Sequence, residues 1–424
     1  MKCAEAFPKK FKKAAVFFMA AAAASAGMVF GHETEKVALA GGFNMGVPNH
    51  WAEPYMKNLY DRGLLRGDSN GNMNPNQYIT RAEFVSIVNR AFGYTEKGSN
   101  PFKDVTGNEW YADDISIAYN EGYFSGDGKN ISNATGKLTR EQAVALLCRN
   151  TNIEEVPGSN TSFSDSKSIE NWSRGYVNAA SQKGYISGYE DNTFKPKSYI
   201  TRGEASKMFS DAAGEIISSS GDYSLGYTTG NVTVSSSGVT LIDTIITGDL
   251  YITQAVGLGH TYFDNVHVLG DVIVSGTGES YAGKSSITFG DSTLLNLIVT
   301  GSSDNIKTIK IDGTTTIENT KIYTSTFLEE LAYRDGGFKN ILFKGDEEAE
   351  LYLTGDFDQV TVMGPENKLY LNDANVDRLI VDEEATDAEV SIDSDSYVSE
   401  LLLDVGTEVT GNGQVGDRKS TRLN

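Results

Sequence analysis

Three arginines occupy the same place in three related tetrapeptides, Thr80-Arg81-Ala82-Glu83, Thr139-Arg140-Glu141-Gln142 and Thr201-Arg202-Gly203-Glu204. A Thr followed three residues later by Glu or Gln is typical of a capping box at a helix start. A cation in the first turn opposes the helix dipole, so capping does not explain the arginine. Two interpretations remain for it. Its guanidinium binds a carboxylate beside an anion-favouring helix N-terminus, or it forms a structural salt bridge to a neighbouring repeat.

The spacing around these arginines extends over longer segments. Trp51, Trp110 and Trp172 are each followed by a Gly after 12 residues, a second Gly after 16 and an Arg after 30. Three tandem copies indicate one supersecondary unit used three times. Each unit is predicted to form a helix, a Gly-rich loop and a second helix, with the first helix over 52–62 ended by Gly63. The tryptophans are interpreted as core anchors in preference to stacking platforms, because Trp is mostly buried in proteins.

The second and third copies carry a family resemblance. Phe102-Lys103-Asp104-Val105, Trp110, Gly122 and Thr139-Arg140 together resemble a bacterial S-layer homology domain, as do Phe163-Ser164-Asp165, Trp172, 184–196 and 200–204. The resemblance covers roughly residues 43–214. It implies a pseudo-threefold helical bundle that binds secondary cell-wall polysaccharide without a covalent bond. It also implies that the bound group is a pyruvylated amino sugar, held in grooves between adjacent repeats.

The resemblance further implies which residues form these grooves. The Arg of each tetrapeptide would contact the pyruvyl carboxylate, and the Trp and the Asp after the leading Phe would help to form the groove. Two copies depart from the pattern: Met45 replaces the Asp in the first copy, and Gln142 replaces the Glu in the second. The predicted polysaccharide-binding residues are Arg81, Arg140, Arg202, Asp104, Asp165, Trp51, Trp110, Trp172, Glu83 and Glu204. Arg202→Ala is expected to weaken binding roughly tenfold and to leave the fold intact.

The C-terminal half has a different composition. From about residue 216 onward, short alternating runs such as 231–234 and 264–269 predict strands. Gly248-Asp249 and Gly270-Asp271 open similar segments 22 residues apart. This spacing predicts a parallel β-solenoid with Ile252 and Val274 in one interior column, and a β-sandwich is the alternative. A short helical turn is predicted at 326–334.

Catalytic signals are sparse. The histidines do not have metal-ligand spacing, and no nucleophile elbow or phosphate loop is present. We therefore predict no catalytic residue, no metal site, no cofactor and no enzymatic activity. The alternative is a β-helix polysaccharide lyase, because such enzymes use this fold. Acidic stretches at 382–387 and 393–395 are available for calcium, although a solvated acidic face explains them as well.

Composition restricts the partners and the location. A net charge of −21 and a pI near 4.6 argue against nucleic acid or an anionic bilayer. Lysines at 9–13, an apolar run over 14–24 and Ala24-Ser25-Ala26 predict a cleaved secretory signal. The apolar run is too short to span a membrane comfortably. Beyond this signal the chain has a single cysteine, Cys148, which is predicted to be a buried and inert thiol.

The sequence thus predicts a multidomain α+β protein secreted to the cell wall. The predicted segments are a signal peptide (1–26), a linker (27–42), three repeats (43–95, 101–152 and 160–214), an all-β solenoid-like domain (216–416) and a tail (417–424). The tail is interpreted as disordered or foreign to the natural protein. The expected function is non-covalent anchoring to wall polysaccharide, with the β-rich domain displayed as a structural or adhesive module. Self-association in a surface layer is left open, and the alternative function is an anchored lyase.

Overall fold

The computed structural model describes residues 42–158, 162–276, 286–301, 306–332 and 336–420. The predicted signal peptide and nearly all of the predicted linker lie outside these ranges. Six α-helices occur within them: α1 (Glu53–Asp61), α2 (Arg81–Phe92), α3 (Ala112–Asn120), α4 (Arg140–Asn150), α5 (Asn171–Gln182) and α6 (Arg202–Ala213). None of these helices is long and apolar enough to cross a membrane.

The helices form three pairs, α1 with α2, α3 with α4 and α5 with α6, which we call repeats 1, 2 and 3. In α2, Phe84, Val85 and Val88 lie at helical spacing and are fully buried, so one apolar face of the helix lies in the core. Cys148 is buried as predicted, and burial raises the pKa of its thiol to about 12. A thiol with this pKa stays protonated and inert at neutral pH.

The three repeats close into a ring. The backbone N–H of Arg81 donates to the carbonyl of Gly136 at 3.0 Å, so repeat 1 contacts repeat 2. Arg140 donates in the same way to Ser198 of repeat 3 at 2.9 Å, and Arg202 donates to Gln77 of repeat 1 at 2.8 Å. Each second helix therefore begins on the loop of the next repeat, and the third repeat returns to the first.

Strands follow the bundle. They are β1 (Glu215–Ile217), β2 (Gly221–Tyr223), β3 (Gly226–Thr228), β4 (Val232–Val234), β5 (Val239–Ile246), β6 (Leu250–Ile252), β7 (Thr261–Val274), β8 (Ile287–Gly290), β9 (Thr293–Val299), β10 (Lys307–Gly313), β11 (Thr316–Ile322), β12 (Thr326–Ala332), β13 (Gly337–Phe343), β14 (Glu350–Val362), β15 (Lys368–Val381), β16 (Glu389–Ile392), β17 (Tyr397–Leu403), β18 (Glu408–Gly411) and β19 (Gln414–Ser420).

The strands stack in parallel as a β-solenoid, which confirms the predicted fold. Leu250 pairs with Val272 and Ile252 with Val274, so the 22-residue offset is one coil of the stack. Ile252 and Val274 are both fully buried in one interior column, as expected. The same register continues the column through Val299, Ile322, Phe343, Val362, Val381 and Leu403. Stacked apolar columns of this kind form the core of the solenoid.

Two local predictions are wrong. The segment predicted as a helical turn forms strand β12 over Thr326–Ala332, because seven consecutive residues from Thr326 pair in parallel with Lys307–Gly313 of β10. For the tail, disorder is wrong as far as Ser420, because β19 pairs with β17 up to Leu403↔Ser420; its foreign origin stays a prediction, and residues 421–424 lie outside the described ranges. In both segments the pairing with the preceding coil decides the conformation, and the local residue pattern does not.

The bundle and the solenoid are in direct contact. Gly214 has φ +67°, and a Cβ at this position would lie 1.8 Å from the carbonyl oxygen of Asn231, so only glycine fits the junction. Ile216, Tyr251 and Ile273 belong to strands, yet they are part of the buried core of the bundle. The first coils of the solenoid therefore share their packing with the helices.

Candidate functional site

The start of each second helix has the predicted capping box. The Thr80 backbone N–H donates to Glu83 Oε2 at 2.8 Å, and Thr80 Oγ1 accepts from the Glu83 backbone N–H at 3.2 Å. Thr201 and Glu204 repeat this arrangement in α6, and Gln142 replaces the glutamate in α4. The side chains of Glu83 and Glu204 are therefore already engaged at their own helix starts.

The three arginines of the tetrapeptides lie at the boundaries between repeats. Their exposed fractions are only 7% for Arg81, 9% for Arg140 and 6% for Arg202. Arg81 Nε donates to the carbonyl of Ser132 at 3.0 Å, Arg140 Nη2 to that of Ser187 at 2.8 Å, and Arg202 Nε to that of Met73 at 2.9 Å. Each guanidinium thus binds loop carbonyls of the next repeat around the ring.

Arg202 makes an additional ion pair. Its Nη1 lies 2.7 Å from Glu83 Oε1, and its Nη2 donates to the carbonyl of Arg66 at 2.6 Å. The salt bridge to a neighbouring repeat, one of the two interpretations from the sequence, is thus present at Arg202. The positive charge of Arg202 is largely compensated within the protein.

Arg81 and Arg140 have different surroundings. The guanidinium carbon of Arg81 lies 4.8 Å from the Phe124 ring centre, and that of Arg140 lies 4.9 Å from the Tyr189 ring centre. Within the described ranges, neither guanidinium has a carboxylate within 4.0 Å, whereas Arg202 has Glu83. Burial lowers the pKa of Arg81 from its ordinary value, while the more distant carboxylates of Asp127 and Asp104 act in the opposite direction. Arg81 still remains charged at neutral pH.

The two predicted aspartates hold the loops before the second helices. Asp104 accepts from the backbone N–H groups of Ser132 and Asn133, both at 2.8 Å. Asp165 accepts from the backbone N–H groups of Phe194 and Lys195 at 2.7 and 2.8 Å. Partial burial opposes ionisation of Asp104, but these bonds outweigh it and lower the pKa of the carboxyl group.

The first repeat lacks this carboxylate. Met45 is buried there, and the backbone carbonyl of Asn44 accepts from the Met73 N–H at 2.7 Å instead. A main-chain contact thus takes the position of the Asp brace in repeat 1.

The three tryptophans are not core anchors, and this prediction is wrong. Trp51, Trp110 and Trp172 are 52%, 64% and 45% exposed. The following residue in each copy, Ala52, Tyr111 or Ser173, is buried instead. Each Trp lies at the start of a first helix, where the helix turns the next residue inward and leaves the indole on the surface. Exposed aromatic rings of this size are suited to stacking on a sugar.

The arginines and tryptophans meet at the same boundaries. Gly203, next to Arg202, lies close enough to Ala52, next to Trp51, that a Cβ on it would be 2.9 Å from the Ala52 side chain. Glu141, next to Arg140, accepts from Ser173 Oγ at 3.0 Å, and Ser173 follows Trp172. At the boundary of repeats 1 and 2, helices α2 and α3 are in contact. We define groove 1–2 by Arg81, Asp104 and Trp110, groove 2–3 by Arg140, Asp165 and Trp172, and groove 3–1 by Arg202 and Trp51.

Groove 2–3 contains a feature that the sequence does not predict. Lys197 Nζ lies 2.7 Å from Glu141 Oε1 and 2.7 Å from Glu170 Oε1. Two carboxylates and one ammonium group thus form an ion-pair bridge between repeats 2 and 3. The pairing could not be inferred from the sequence, because Lys197 is 56 residues from Glu141 and their approach depends on ring closure.

A second unpredicted cluster joins the bundle to the solenoid. Asp249 is buried and accepts from Lys183 Nζ and from the Tyr185 hydroxyl, both at 2.7 Å. The hydroxyl groups of Tyr185 and Tyr251 are also 2.7 Å apart. The Gly-Asp pair at 248–249 is visible in the sequence as a turn, but its second role as a partner of the bundle is not.

Comparison with known proteins identifies the repeats. Residues 47–85, 101–144 and 162–206 match the S-layer homology domain. The chain is 34% identical over 167 residues to an amylopullulanase of Thermoanaerobacterium thermosulfurigenes, covering 38% of this chain and 9% of that protein. It is 32% identical to the surface-layer 125 kDa protein of Lysinibacillus sphaericus (38% of this chain, 14% of that protein). It is 27% identical to the S-layer protein sap of Bacillus anthracis (41% and 21%). The chain thus matches less than a quarter of the length of each relative.

Proposed function

We propose that the helical bundle binds an anionic polysaccharide of the cell wall. The chain carries three S-layer homology domains and is a secreted protein held at the cell surface, and the proposal rests on these two findings. The observation that supports the proposal most strongly is the location of a buried arginine and an exposed tryptophan at each boundary between repeats. An indole ring stacks on the apolar face of a sugar, and a guanidinium binds a carboxylate in a bidentate manner. A pyruvylated amino sugar has both features.

Because the whole chain is strongly negative, binding of an anionic polysaccharide must depend on local positive groups. A net charge of −21 repels a polyanion at long range, so attraction cannot come from the overall field. Binding then depends on partly buried cations, whose interactions are screened much less by salt than those of exposed charges. The three inter-repeat arginines are cations of this kind.

We propose that the solenoid is a displayed module without catalytic activity. Relatives that match the chain include proteins named as enzymes and proteins named as surface-layer proteins. The portion that they share with this chain therefore occurs in polypeptides whose remaining domains differ widely. The solenoid is fixed to the bundle through Asp249, Lys183 and Tyr185, which orients it relative to the wall.

The anchoring proposal can be tested by sedimentation of the full chain with purified sacculi whose wall polysaccharide is pyruvylated. We expect the chain to sediment with intact sacculi and to stay in solution with sacculi stripped of the polysaccharide. The variant Trp51→Ala/Trp110→Ala/Trp172→Ala should fold, because all three side chains are exposed, and should lose most of the binding. Equal sedimentation with stripped sacculi would mean that the bundle binds peptidoglycan, and the proposal would be wrong.

The display proposal has a separate test. A lyase would release unsaturated products from acidic polysaccharides, which absorb ultraviolet light, and calcium chelation would stop the reaction. We expect no increase in absorbance with the full chain. Sustained, calcium-dependent product formation would replace the display function by the lyase alternative and would leave the anchoring proposal unchanged.

A further inference from the structure

The three grooves differ in the charge that they offer to a ligand. We propose that groove 1–2 takes the carboxylate-bearing sugar, through Arg81 and Trp110, and that Gln142 is the residue that makes this groove selective. The inference rests on the proposed anchoring function. It assigns the anionic sugar to one boundary of the ring and names the determinant.

The determinant lies at the third position of each second helix. Glu83 of repeat 1 holds Arg202 of repeat 3 at 2.7 Å. The backbone contacts around the ring are equivalent at all three boundaries, so the residue that corresponds to Glu83 for Arg81 is Gln142. Gln142 keeps the capping box, because its Oε1 accepts from the Thr139 N–H at 3.1 Å. It brings no negative charge to groove 1–2, where Glu83 brings one to groove 3–1.

Arg81 therefore keeps donors for a ligand. Its Nε is bound to Ser132, but its two terminal nitrogens donate to no group in the described ranges. Arg81 as a whole is 7% exposed, so the boundary leaves a small opening at this residue. The carboxylates of Asp127 and Asp104 act on Arg81 only from beyond ion-pair distance, and that of Asp104 is bound to Ser132 and Asn133. A planar pair of free N–H donors is the arrangement that binds a carboxylate.

Groove 2–3 is less suitable for an anion. The bridge of Glu141, Lys197 and Glu170 carries a net charge of −1 beside Arg140. In groove 1–2 the residues that correspond to Glu141 and Lys197 are Ala82 and Thr135, which are uncharged. Trp172 is also the least exposed of the three indoles at 45%, whereas Trp110 is the most exposed at 64%.

Groove 3–1 is closely packed and neutralised. Gly203 occupies the position of Ala82, where a Cβ would lie only 2.9 Å from the Ala52 side chain, and Trp51 is half exposed. The donors of Arg202, however, are bound to Met73, Arg66 and Glu83. A sugar carboxylate would have to displace Glu83 from a close ion pair, which offsets most of the gain from binding.

The inference is tested by calorimetric titration of the full chain with a pyruvylated amino-sugar glycoside, and with the same glycoside after mild-acid removal of the ketal. The decisive variant is Gln142→Glu, which keeps a residue that can form the capping box and adds a carboxylate facing Arg81. We expect it to weaken binding of the pyruvylated glycoside about tenfold or more. Gln182→Glu adds the same charge at an exposed site at the end of α5, close to the solenoid, and should bind as the parent does.

A second variant keeps the inference testable if Gln142→Glu fails to fold. Arg81→Lys keeps the charge and loses the fork of donors, and we expect a comparable loss of affinity with a thermal transition that stays cooperative. If Gln142→Glu and Arg81→Lys both fold and both bind as the parent does, groove 1–2 is not the site and the inference is overturned while anchoring stands. If the parent binds neither glycoside, the proposed ligand is wrong and the inference falls with it.

Discussion

The bundle and the solenoid are both made of repeats, but the bundle is a closed ring and the solenoid is an open stack. In the ring, repeat 3 contacts repeat 1 through Arg202 and Glu83, which are 119 residues apart. In the solenoid, a strand such as β11 pairs, among the described residues, with its neighbours one coil before and one coil after it, β9 and β13. Damage to a ring affects every boundary, whereas damage to a stack stays with adjacent coils.

The bundle and the solenoid also differ in where a single residue exchange can change their chemistry. In the ring, three equivalent positions face three boundaries, so a single exchange such as Gln142 for Glu makes one groove unlike the others. In the stack, the interior column from Ile252 to Leu403 is apolar in every coil, and its members range in size from Val to Phe. Chemical variety in the solenoid is thus expected on its surface and at its corners.

The largest expected effect breaks the stack locally. Phe289 is fully buried, and its ring centre lies 4.9 Å from that of Phe263 in the coil before it. Phe289→Ala should cost about 4 kcal/mol, because it removes a large ring and leaves a cavity. Hydrogen exchange should show lost protection in β7, β8 and β10 and unchanged protection in α2. Thr293→Ala, at an exposed position, is the control, and loss of protection throughout the bundle would contradict the comparison.

The next effect opens the ring. Arg202→Ala removes two carbonyl contacts and an ion pair that joins repeats 3 and 1, and it leaves Glu83 without its partner. We expect a loss of about 3 kcal/mol, in place of the intact fold expected from the sequence. Arg81→Ala should cost about half as much, since Arg81 has one carbonyl contact in the described ranges. Chemical denaturation of the two variants measures the difference, and equal losses would show that ring closure does not depend on Arg202.

A smaller effect separates the two regions. Asp249→Asn removes the charge that Lys183 and Tyr185 share across the junction, and it should cost about 2 kcal/mol. Calorimetry should then resolve two transitions, one for the bundle and one for the solenoid. Asp271→Asn is the matched control, because Asp271 is partly exposed and lies 3.4 Å from Lys183. Two transitions already resolved in the parent would mean that the junction does not couple the regions.

The smallest effect is a dependence on pH within the solenoid. Burial raises the pKa of Glu330 from 4.5 to about 7, against the effect of a hydrogen bond from the Phe338 N–H. The folded state binds more protons than the unfolded state between these values, so this residue makes stability fall as pH rises from about 4.5 to 7. Glu330→Gln should flatten the fall in the melting temperature of the solenoid between pH 5 and pH 8. If the melting temperature of the variant falls with pH as steeply as that of the parent, the carboxyl group of Glu330 is exposed to solvent and burial does not raise its pKa.

The position of Glu330 shows why the pattern of the sequence is insufficient there. In the register it lies beside Ile311, a fully buried residue of the preceding coil. The sequence Leu328-Glu329-Glu330-Leu331 has the composition of a helix, and a helical turn was the natural prediction. Parallel pairing with β10 decides the outcome, because the strand completes hydrogen bonds that a single helical turn would leave unmade.

The tryptophans and arginines of the bundle also show what the sequence pattern alone cannot predict. Their spacing alone establishes three equivalent units, and the capping boxes follow from residues three apart in the chain. Whether an indole lies in the core or on the surface depends on which helix of the next repeat packs against it. The pairing of Arg202 with Glu83 follows from ring closure in the same way, whereas the uncharged Gln142 at the position that corresponds to Glu83 is visible in the sequence.

The sequence by itself determined the three helical repeats, their capped second helices, and the 22-residue coil that makes parallel stacking the favoured fold. These features depend on local spacing, which a helix or a strand converts directly into a face, a cap or a turn. Only the tertiary structure decided the exposure of Trp51, Trp110 and Trp172, the ion-pair bridge in groove 2–3 and the contact of Asp249 with the bundle. Burial and electrostatic pairing depend on groups brought together from distant parts of the chain, and the energy of a charge is set by those neighbours and not by its position in the sequence.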